Sequence, residues 1–339
     1  MRTRNVWQTI LFRYRQFGGM QVIRIYAKCG ALWPMLITFL KNPFSRQSYR
    51  KAYSVALRKI EPILCTKYAS LLSERKAYYS EQSLEHKRSN TIWFCWLQGL
   101  EQAPDVIKVC YNSILRNLPN YELILIDNEN WKEYVELPKY IIEKWVKEII
   151  PPANFTDLLR LQLLIHYGGS WIDSTVLCTG ITPQNEEYTR PYLNADLFVF
   201  QYTQPGSNLY SGISNWFITS CTNNEMLMVL RDMLYAYWKD YNCLIDYYIF
   251  HLFFSMLKDV YSDEMAAMPY GYSVNSLALG RHLGDKFDKN KWDRFTSKVC
   301  FHKLLYNLSK TTLKDENNYY NYILSEFGHL KLKHNIICG

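Results

Sequence analysis

Apolar residues recur at two different spacings along the chain, and the spacing changes near residue 90. Over residues 46–79 they fall three and four positions apart, with charged residues on the opposite face. That spacing predicts a long amphipathic helix, and the polar residues 80–90 that follow it are typical of a linker. We therefore expect residues 1–90 to form a mainly helical N-terminal appendage.

Beyond residue 90, short apolar runs alternate with helical patterns. The runs TIWFCWLQG and YELILID predict buried strands, a helix is expected after Pro104 and another over 155–166, and a third strand over 170–178. Strands that alternate with helices are typical of a parallel α/β sheet, in which ligands bind at the carboxyl ends of the strands. Asp127 and Asp173 lie at or near such ends. After residue 190 the pattern is more mixed, with further strands at DLFVFQY and SNWFITS, two helices, and a late strand or loop at KVCFHKLLYN.

Composition narrows the choice of partners. The nine cysteines are scattered without zinc-ligand spacing, so free thiols in a reducing compartment are expected. A formal net charge of +8 favours anionic partners. The sequence contains no dense Lys/Arg run and no common nucleic-acid motif, so we expect no nucleic-acid partner.

The first forty residues bear on membrane binding. Six Lys and Arg residues between positions 2 and 28 precede the apolar run CGALWPMLITFL, which is too short for a spanning helix of roughly twenty residues. One interpretation is an interfacial anchor, with bases at acidic headgroups and Trp33, Leu36 and Phe39 at the acyl boundary. The other is a helix that packs on the protein's own core.

The stretch NFTDLLRLQLLIHYGGSWIDST concentrates the candidate chemistry. Asp157 and Arg160 are three positions apart on a largely apolar helix, so they share a face and need partners there. They could form a structural ion pair or a clamp for the hydroxyls and phosphates of a sugar donor. Gly168 and Gly169 permit a positive φ, and Asp173 follows at a strand end, where a carboxylate can bind a divalent ion.

The order D-x-x-R-x-x-x-L-x-x-x-G-G-x-W-x-D resembles that of family 32 glycosyltransferases, which use nucleotide sugars. Among them, the chain looks most like the capsular polysaccharide synthesis proteins, with IWFCWLQG at 92–99, SNWFITS at 214–220 and HKLLYN at 302–307 as further similar segments. The resemblance covers about 91–307. It implies an α/β, Rossmann-like nucleotide-sugar-binding fold of the GT-A type over 91–310, with a C-terminal extension over 311–339.

The resemblance also implies roles for individual residues. Asp157, Arg160 and Asp173 would form the catalytic centre, with Asp157 and Arg160 on the donor sugar. Asp173 and His302 would hold Mn²⁺ or Mg²⁺, although Thr175 stands where the second acid of a D-x-D motif is expected. The residues assigned to the donor nucleotide are Trp93, Trp96, Gly168, Gly169, Thr175, Asn215 and Lys303.

Other polar residues have weaker assignments. Asn215 and Trp216 could line the substrate pocket or belong to a core strand. Asp246 and His251 lie in an aromatic segment where a buried, satisfied polar group is the simpler interpretation, although Asp246 could orient an acceptor hydroxyl. His166 is expected to interact with the C-terminal dipole of its helix.

These expectations together predict a hexosyltransferase-type glycosyltransferase of bacterial capsule-type polysaccharide synthesis. The resemblance implies transfer from a UDP-sugar with retention of configuration, and we expect a glycan or lipid-linked acceptor. The expected location is cytoplasmic, peripheral at the inner face of the cytoplasmic membrane. Two alternatives remain open: a catalytically weak nucleotide- or glycan-binding module of the same fold, which Thr175 favours, and a basic nucleic-acid or membrane-adaptor protein.

Overall fold

The computed structural model describes residues 6–41, 45–201, 212–308 and 310–328. The strands are β1 (Thr91–Cys95), β2 (Glu122–Ile126), β3 (Gly169–Ile172), β4 (Val176–Cys178), β5 (Leu197–Gln201), β6 (Ile213–Ser220) and β7 (Phe301–Lys303). The helices are α1 (Val6–Gln16), α2 (Met20–Lys28), α3 (Leu32–Leu40), α4 (Arg46–Ser80), α5 (Asp105–Asn117), α6 (Trp131–Tyr134), α7 (Lys139–Val146), α8 (Pro152–Tyr167), α9 (Glu186–Asn194), α10 (Glu225–Asp240), α11 (Ile249–Val260), α12 (Ser262–Ala267), α13 (Ser273–Arg281), α14 (Lys289–Thr296), α15 (Lys310–Lys314) and α16 (Tyr319–Phe327). The predicted strands and the main predicted helices therefore exist, and the eight described cysteines are free.

The central sheet is mixed rather than parallel throughout. Its strand order is β2-β1-β3-β6-β5, and β1 is parallel to both β2 and β3. β6 is antiparallel to β3 and β5. The expectation of a parallel sheet, made for the strands before residue 190, is thus confirmed for β1, β2 and β3, and the more mixed pattern after residue 190 corresponds to the antiparallel β5 and β6. β5 and β6 are consecutive strands in the chain, and they pair with each other antiparallel.

The strand predicted over 170–178 is broken at Asp173. β3 ends at Ile172 within the central sheet, whereas β4 pairs antiparallel with β7 in a separate two-stranded sheet. At the break, the Asp173 N–H donates to the carbonyl of Trp216, and the Val176 N–H donates to the carbonyl of Asp173. The break therefore fixes the Asp173 backbone at the carboxyl end of β3.

Helix α8 carries the charged pair predicted from the sequence. Its first residue is Pro152, which lacks the N–H that a first-turn residue would leave unpaired anyway. The helix ends at Tyr167; its C-cap residue Gly168 has φ of 68°, and Gly169 follows with φ of 88°. A side chain at Gly169 would run into the carbonyl oxygen of Thr91, so glycine lets β3 approach β1.

The long helix α4 packs on the rest of the protein. Its bounds confirm the helix predicted over 46–79, and it contains Pro62 without ending there. Tyr68 donates a hydrogen bond to Asp240 at 3.0 Å, and Tyr79 donates to Asp232 at 2.9 Å, both on α10. Apolar side chains of α4 share one buried cluster with the sheet. The N-terminal helices thus contribute to a common core, and the boundary at residue 90 stays a prediction.

Helices α2 and α3 form a bent pair near the N-terminus. Their axes differ by 106°, and among the described residues no single helix is long and apolar enough to cross a membrane, although this bent pair reaches the required length and composition together. Val22 and Tyr26 of α2 are buried, whereas α3 has no buried residue. The charges of Arg2 and Arg4, and the end of the predicted C-terminal extension over 329–339, lie outside the described residues.

The contact at Gly169 gives a first prediction. Gly169→Ala should lower the free energy of unfolding by about 3 kcal/mol, because an alanine there is strained in φ and also collides with the backbone of β1. Gly99→Ala is the matched control, since Gly99 has φ of 77° but open space around a Cβ, so it should cost only about 1 kcal/mol. Urea unfolding of both variants checks this. Equal losses would mean that backbone conformation alone, and not the β1–β3 approach, requires glycine at Gly169.

Candidate functional site

A cavity of about 510 Å³ opens where β1 and β3 end. Its walls come from the residues after β1, the first turns of α8, the end of β3, strand β6, the segment before α11, and β7. The location agrees with the rule that ligands of α/β sheets bind at the carboxyl ends of parallel strands. Asp127 also follows a strand, but its carboxylate accepts from the N–H groups of Glu129 and Asn130 in a local turn, and it does not line the cavity.

Arg160 joins the two carboxylates of the motif. It donates to Asp157 at 2.7 Å and to Asp173 at 3.2 Å, through different terminal nitrogens. Its guanidinium carbon also lies 4.7 Å from the centre of the Trp171 ring. The Arg160 side chain is only 4% exposed, so it acts mainly on its protein partners. A planar guanidinium suits this bridging position because its donors point in fixed directions.

Asp173 is held by a second cation from a distant part of the chain. Lys303 on β7 donates to Asp173 Oδ2 at 2.6 Å, while Asp173 Oδ1 accepts from Arg160 and from the Trp171 indole, the latter at 2.8 Å. Burial works to raise the pKa of Asp173, but the charges of Lys303 and Arg160 outweigh it and hold that pKa below its usual range. Asp173 is therefore ionised at neutral pH.

Asp157 lies deeper and behaves differently. Burial raises the pKa of Asp157 to about 7, although the charge of Arg160 and a 2.9 Å hydrogen bond from Asn215 act in the opposite direction. The two carboxylates that share Arg160 thus have pKa values moved apart by their surroundings, as is typical of functional sites.

The structure brings some of the predicted donor residues to the cavity and leaves others out. Trp96, Asn215 and Lys303 line it, together with Asp157, Arg160 and Asp173. The other four predicted donor residues do not line it and have structural contacts instead; they are Trp93, Gly168, Gly169 and Thr175. The Trp93 indole donates to the Gly168 carbonyl at 2.9 Å, and the Thr175 carbonyl accepts from the Leu304 N–H.

His302 is not placed as the sequence predicted. It is fully buried, does not line the cavity, and its Nε2 lies 3.2 Å from the Thr179 hydroxyl. Successive residues of a strand face opposite sides, so Lys303 faces the cavity and His302 faces away from it. Burial lowers the pKa of His302 to about 3, which keeps the ring neutral. We therefore do not retain His302 as a metal ligand.

The described residues do not form a metal site from protein side chains alone. No group of three or more His, Cys, Asp or Glu side chains within the described ranges is arranged to hold an ion. Both oxygens of Asp173 already accept from cationic side chains, so an ion at Asp173 would have to compete with Lys303. The expected Mn²⁺ or Mg²⁺ stays a prediction, and we derive no reaction step from it.

Several residues at the cavity had a weak signal, or none, in the sequence. Tyr247, Tyr248 and Tyr306 line the opening, and only the HKLLYN segment gave a signal for the last of them. His251 also lines the cavity; burial, with the charge of Arg160, lowers the pKa of His251 to about 4. Asp246 precedes α11 instead of lying on it and accepts from the Tyr248 N–H at 3.0 Å.

The remaining residues of interest lie in the cavity wall or near the end of α8. The Trp216 ring lines the cavity and stacks on Phe200 with ring centres 4.6 Å apart, so it is both a wall and a core residue. His166 lies exposed in the last turn of α8, where a histidine can interact with the helix dipole. Asn154, in the first turn of α8, is buried in the cavity wall, and its Oδ1 has no hydrogen-bond partner among the described residues.

Comparison with protein families decides the relationship. Residues 40–323 match the model of the family described as capsular polysaccharide synthesis protein. The chain belongs to this family. The match begins within the N-terminal helices, so it extends further than the motif resemblance over 91–307. Among curated proteins, no sequence matches the chain.

A solved structure titled PaToxG Glycosyltransferase is similar in part. It is 13% identical, the comparison covers 80% of this chain and 99% of that one, and the TM-score is 0.35. The site residues lie inside the part of the chain that matches the capsular polysaccharide synthesis family. The finer assignment to family 32 glycosyltransferases stays a prediction.

The buried network predicts a large effect of Arg160. Arg160→Ala should lower the free energy of unfolding by about 3–5 kcal/mol at pH 8, because two carboxylates lose their shared buried cation. Arg190→Ala is a matched control, since Arg190 pairs with Glu186 on the exposed surface and should cost at most about 1 kcal/mol. Chemical denaturation of both variants measures the difference. Similar small losses would show that the network around Arg160 adds little to stability.

Proposed function

We propose that this member of the family is a glycosyltransferase of the GT-A type that uses a nucleoside diphosphate sugar, with a UDP-sugar as donor. The observation that carries the proposal is Asp173 held between Arg160 and Lys303 at the edge of the cavity. Cations that converge at the carboxyl ends of parallel strands suit a diphosphate. A volume of about 510 Å³ lies within the usual range for pockets that bind small molecules.

The diphosphate is assigned to the side of the cavity formed by Lys303 and the start of α8. The Lys303 side chain is 22% exposed, so its ammonium can reach a ligand while it still contacts Asp173. Pro152, Ala153 and Asn154 place the first turn of α8 in the cavity wall. The positive end of a helix dipole favours phosphate, which supports the same placement.

The donor sugar is assigned to the deeper side, at Asp157 and Asn215. Carboxylate and amide groups bind sugar hydroxyls, and the 2.9 Å hydrogen bond between these two side chains fixes their orientation. Tyr247, Tyr248 and Tyr306 supply aromatic surface nearer the opening. Such rings suit the apolar faces of an acceptor glycan.

The transfer itself needs charge stabilisation more than a protein nucleophile. The bond between the anomeric carbon and the diphosphate oxygen breaks, and the acceptor hydroxyl oxygen bonds to that carbon. The leaving diphosphate takes the acceptor proton. Lys303 and the cationic side of the network stabilise the charge that develops on the leaving group. Attack on the face that the diphosphate leaves gives retention, as the resemblance implies.

A binding module of the same fold is the second candidate. It is favoured by the engagement of both Asp173 oxygens by protein cations and by the threonine in place of the second acid of a D-x-D motif. Such a protein would bind the donor without turning it over. Donor hydrolysis therefore separates the two functions.

The donor proposal predicts ligand-dependent stability. UDP and UDP-sugars should raise the Tm of the full chain in EDTA, and wild type should slowly release UDP from its cognate UDP-sugar. Lys303→Met should weaken UDP binding by about tenfold, which corresponds to the loss of one charged hydrogen bond. Lys314→Met, at an exposed lysine of α15, is the control and should bind as wild type.

The outcomes distinguish the candidates. A Tm shift without UDP release would favour the binding module, and no shift with any nucleoside diphosphate would contradict both. If Mn²⁺ strengthened UDP binding in wild type but not in Asp173→Asn, an ion would bind at Asp173 as the sequence predicted.

The raised pKa of Asp157 predicts a pH effect on sugar recognition. An ionised carboxylate accepts hydrogen bonds from hydroxyls more strongly than a protonated one. Because the pKa of Asp157 is about 7, the ratio of UDP-sugar affinity to UDP affinity should rise between pH 6 and pH 8. Asp157→Asn should remove this rise while UDP binding persists. Calorimetry of both ligands at each pH measures the ratio, and a pH-independent ratio in wild type would contradict the assignment of Asp157 to the sugar.

A further inference from the structure

Positive charge is concentrated at one end of the chain. The first sixty residues contain twelve of the 39 Lys and Arg residues and none of the 31 Asp and Glu residues. The other residues, from Glu61 onward, therefore carry 27 basic and 31 acidic side chains and have a small negative charge. The entire excess of +8 comes from the first sixty residues.

The basic side chains of this region that the structure describes point to solvent. There are eight such side chains, all are exposed, and none forms an ion pair with an acidic group in the part of the chain that the structure describes. They are Arg15, Arg24, Lys28, Lys41, Arg50, Lys51, Arg58 and Lys59. A basic surface without internal counter-charges suits a partner that carries many negative charges.

The same region exposes large apolar side chains. On α3, Trp33 is 72% exposed, Ile37 is 59% exposed and Leu40 is 68% exposed. Ala31, just before α3, is buried, as are Val22 and Tyr26 on α2, so the pair is anchored from the other side. Of the three residues that the sequence placed at an acyl boundary, Trp33 is exposed, whereas Leu36 and Phe39 are half-buried. Ile37 and Leu40 take the exposed positions beside Trp33.

We propose that α3 and the basic residues around it bind the surface of an anionic lipid bilayer. Exposed Trp, Ile and Leu side chains enter the acyl boundary, while Lys and Arg meet acidic headgroups. A nucleic acid would satisfy the charges but would leave the apolar side chains of α3 in water. The cytoplasmic membrane face carries such lipids, which places the protein at the inner face of that membrane.

Helices α2 and α4, the neighbours of α3, also hold one wall of the cavity. Tyr26 donates to the carbonyl of Ile245 at 2.8 Å, and Tyr53 donates to Asp246 at 3.1 Å. The N–H of Tyr247 donates to the Tyr53 hydroxyl at 3.2 Å. Tyr247 and the next residue, Tyr248, line the cavity opening.

This connection gives the docking surface a role. Helix α3 contacts α2 and α4, and these two helices hold the residues at the cavity opening, so a bilayer bound at α3 is linked to the opening through them. A lipid-linked acceptor held in that bilayer then approaches the tyrosines of the opening. This last step rests on the proposed function, whereas the docking itself does not.

Vesicle sedimentation of the full chain tests the docking. Wild type should bind vesicles of phosphatidylglycerol and phosphatidylcholine more tightly than vesicles of phosphatidylcholine alone, and high salt should weaken that binding. The triple variant Trp33→Ser, Ile37→Ser, Leu40→Ser should bind at least about tenfold more weakly. Val146→Ser with Leu313→Ser is the matched control, because both residues are exposed on other helices and should leave binding unchanged.

Charge is tested separately. Arg24→Glu with Lys28→Glu should reduce binding to the anionic vesicles and leave the weak binding to neutral vesicles unchanged. Binding to heparin that exceeds binding to vesicles, and that the triple serine variant does not alter, would overturn the proposal in favour of a polyanion partner. Full vesicle binding by the triple serine variant would also overturn it.

The two proposals can fail independently. The Tm shift with UDP should be the same for wild type and the triple serine variant. If wild type does not bind vesicles but its Tm rises with UDP, only the docking proposal is contradicted. Vesicle binding without any UDP shift would remove only the proposed function.

Discussion

A guanidinium buried between two carboxylates is the interaction on which the site depends. Arg160 comes from α8 and Asp173 from the end of β3, so their 3.2 Å contact links helix to sheet at the cavity wall. Because the contact is buried, each charge needs its partner of opposite sign, since neither is stabilised by water. The pair of glycines where α8 ends and β3 begins serves this contact, since Gly169 lets β3 pack directly beside β1. The motif is thus one structural unit, in which the backbone turn at the glycines sets the positions of the charged side chains.

Lys303 completes the unit from 130 residues further along the chain. β7 pairs with β4, and β4 follows the break at Asp173, so the same backbone irregularity that ends β3 also brings the lysine to Asp173. A continuous strand over 170–178 could not do both. The apolar residues on both sides of Asp173 favoured one strand over 170–178, and the tertiary pairing of β4 with β7 shows that there are two.

The parts of the site that could be predicted are those encoded locally. Asp157 and Arg160 share a helix face by spacing alone, and Asp173 follows from the glycine break. His302 and Lys303 could not be distinguished, because neighbouring residues on a strand face opposite sides and only the register with β4 decides which side is the cavity. The tyrosines at the cavity opening were even harder to predict from the sequence. Tyr247 and Tyr248 are held there by Tyr26 and Tyr53 from the N-terminal helices, contacts that span about two hundred residues.

Burial also sets the charge that a ligand meets. Two cations, Arg160 and Lys303, face two carboxylates, Asp157 and Asp173, and the four would be neutral if all were ionised. Burial raises the pKa of Asp157 to about 7, so that carboxylate is only partly ionised near neutral pH, while Asp173 remains an anion. The group of four then carries a net positive charge between zero and one, inside a wall where water screens it poorly. Neutral His251 adds nothing to this balance. The two carboxylates thus do not fully neutralise the two cations, because Asp157 lies too deep to stay fully charged, and the cavity attracts an anion. An anionic ligand that binds at Lys303 would in turn favour the protonated form of Asp157.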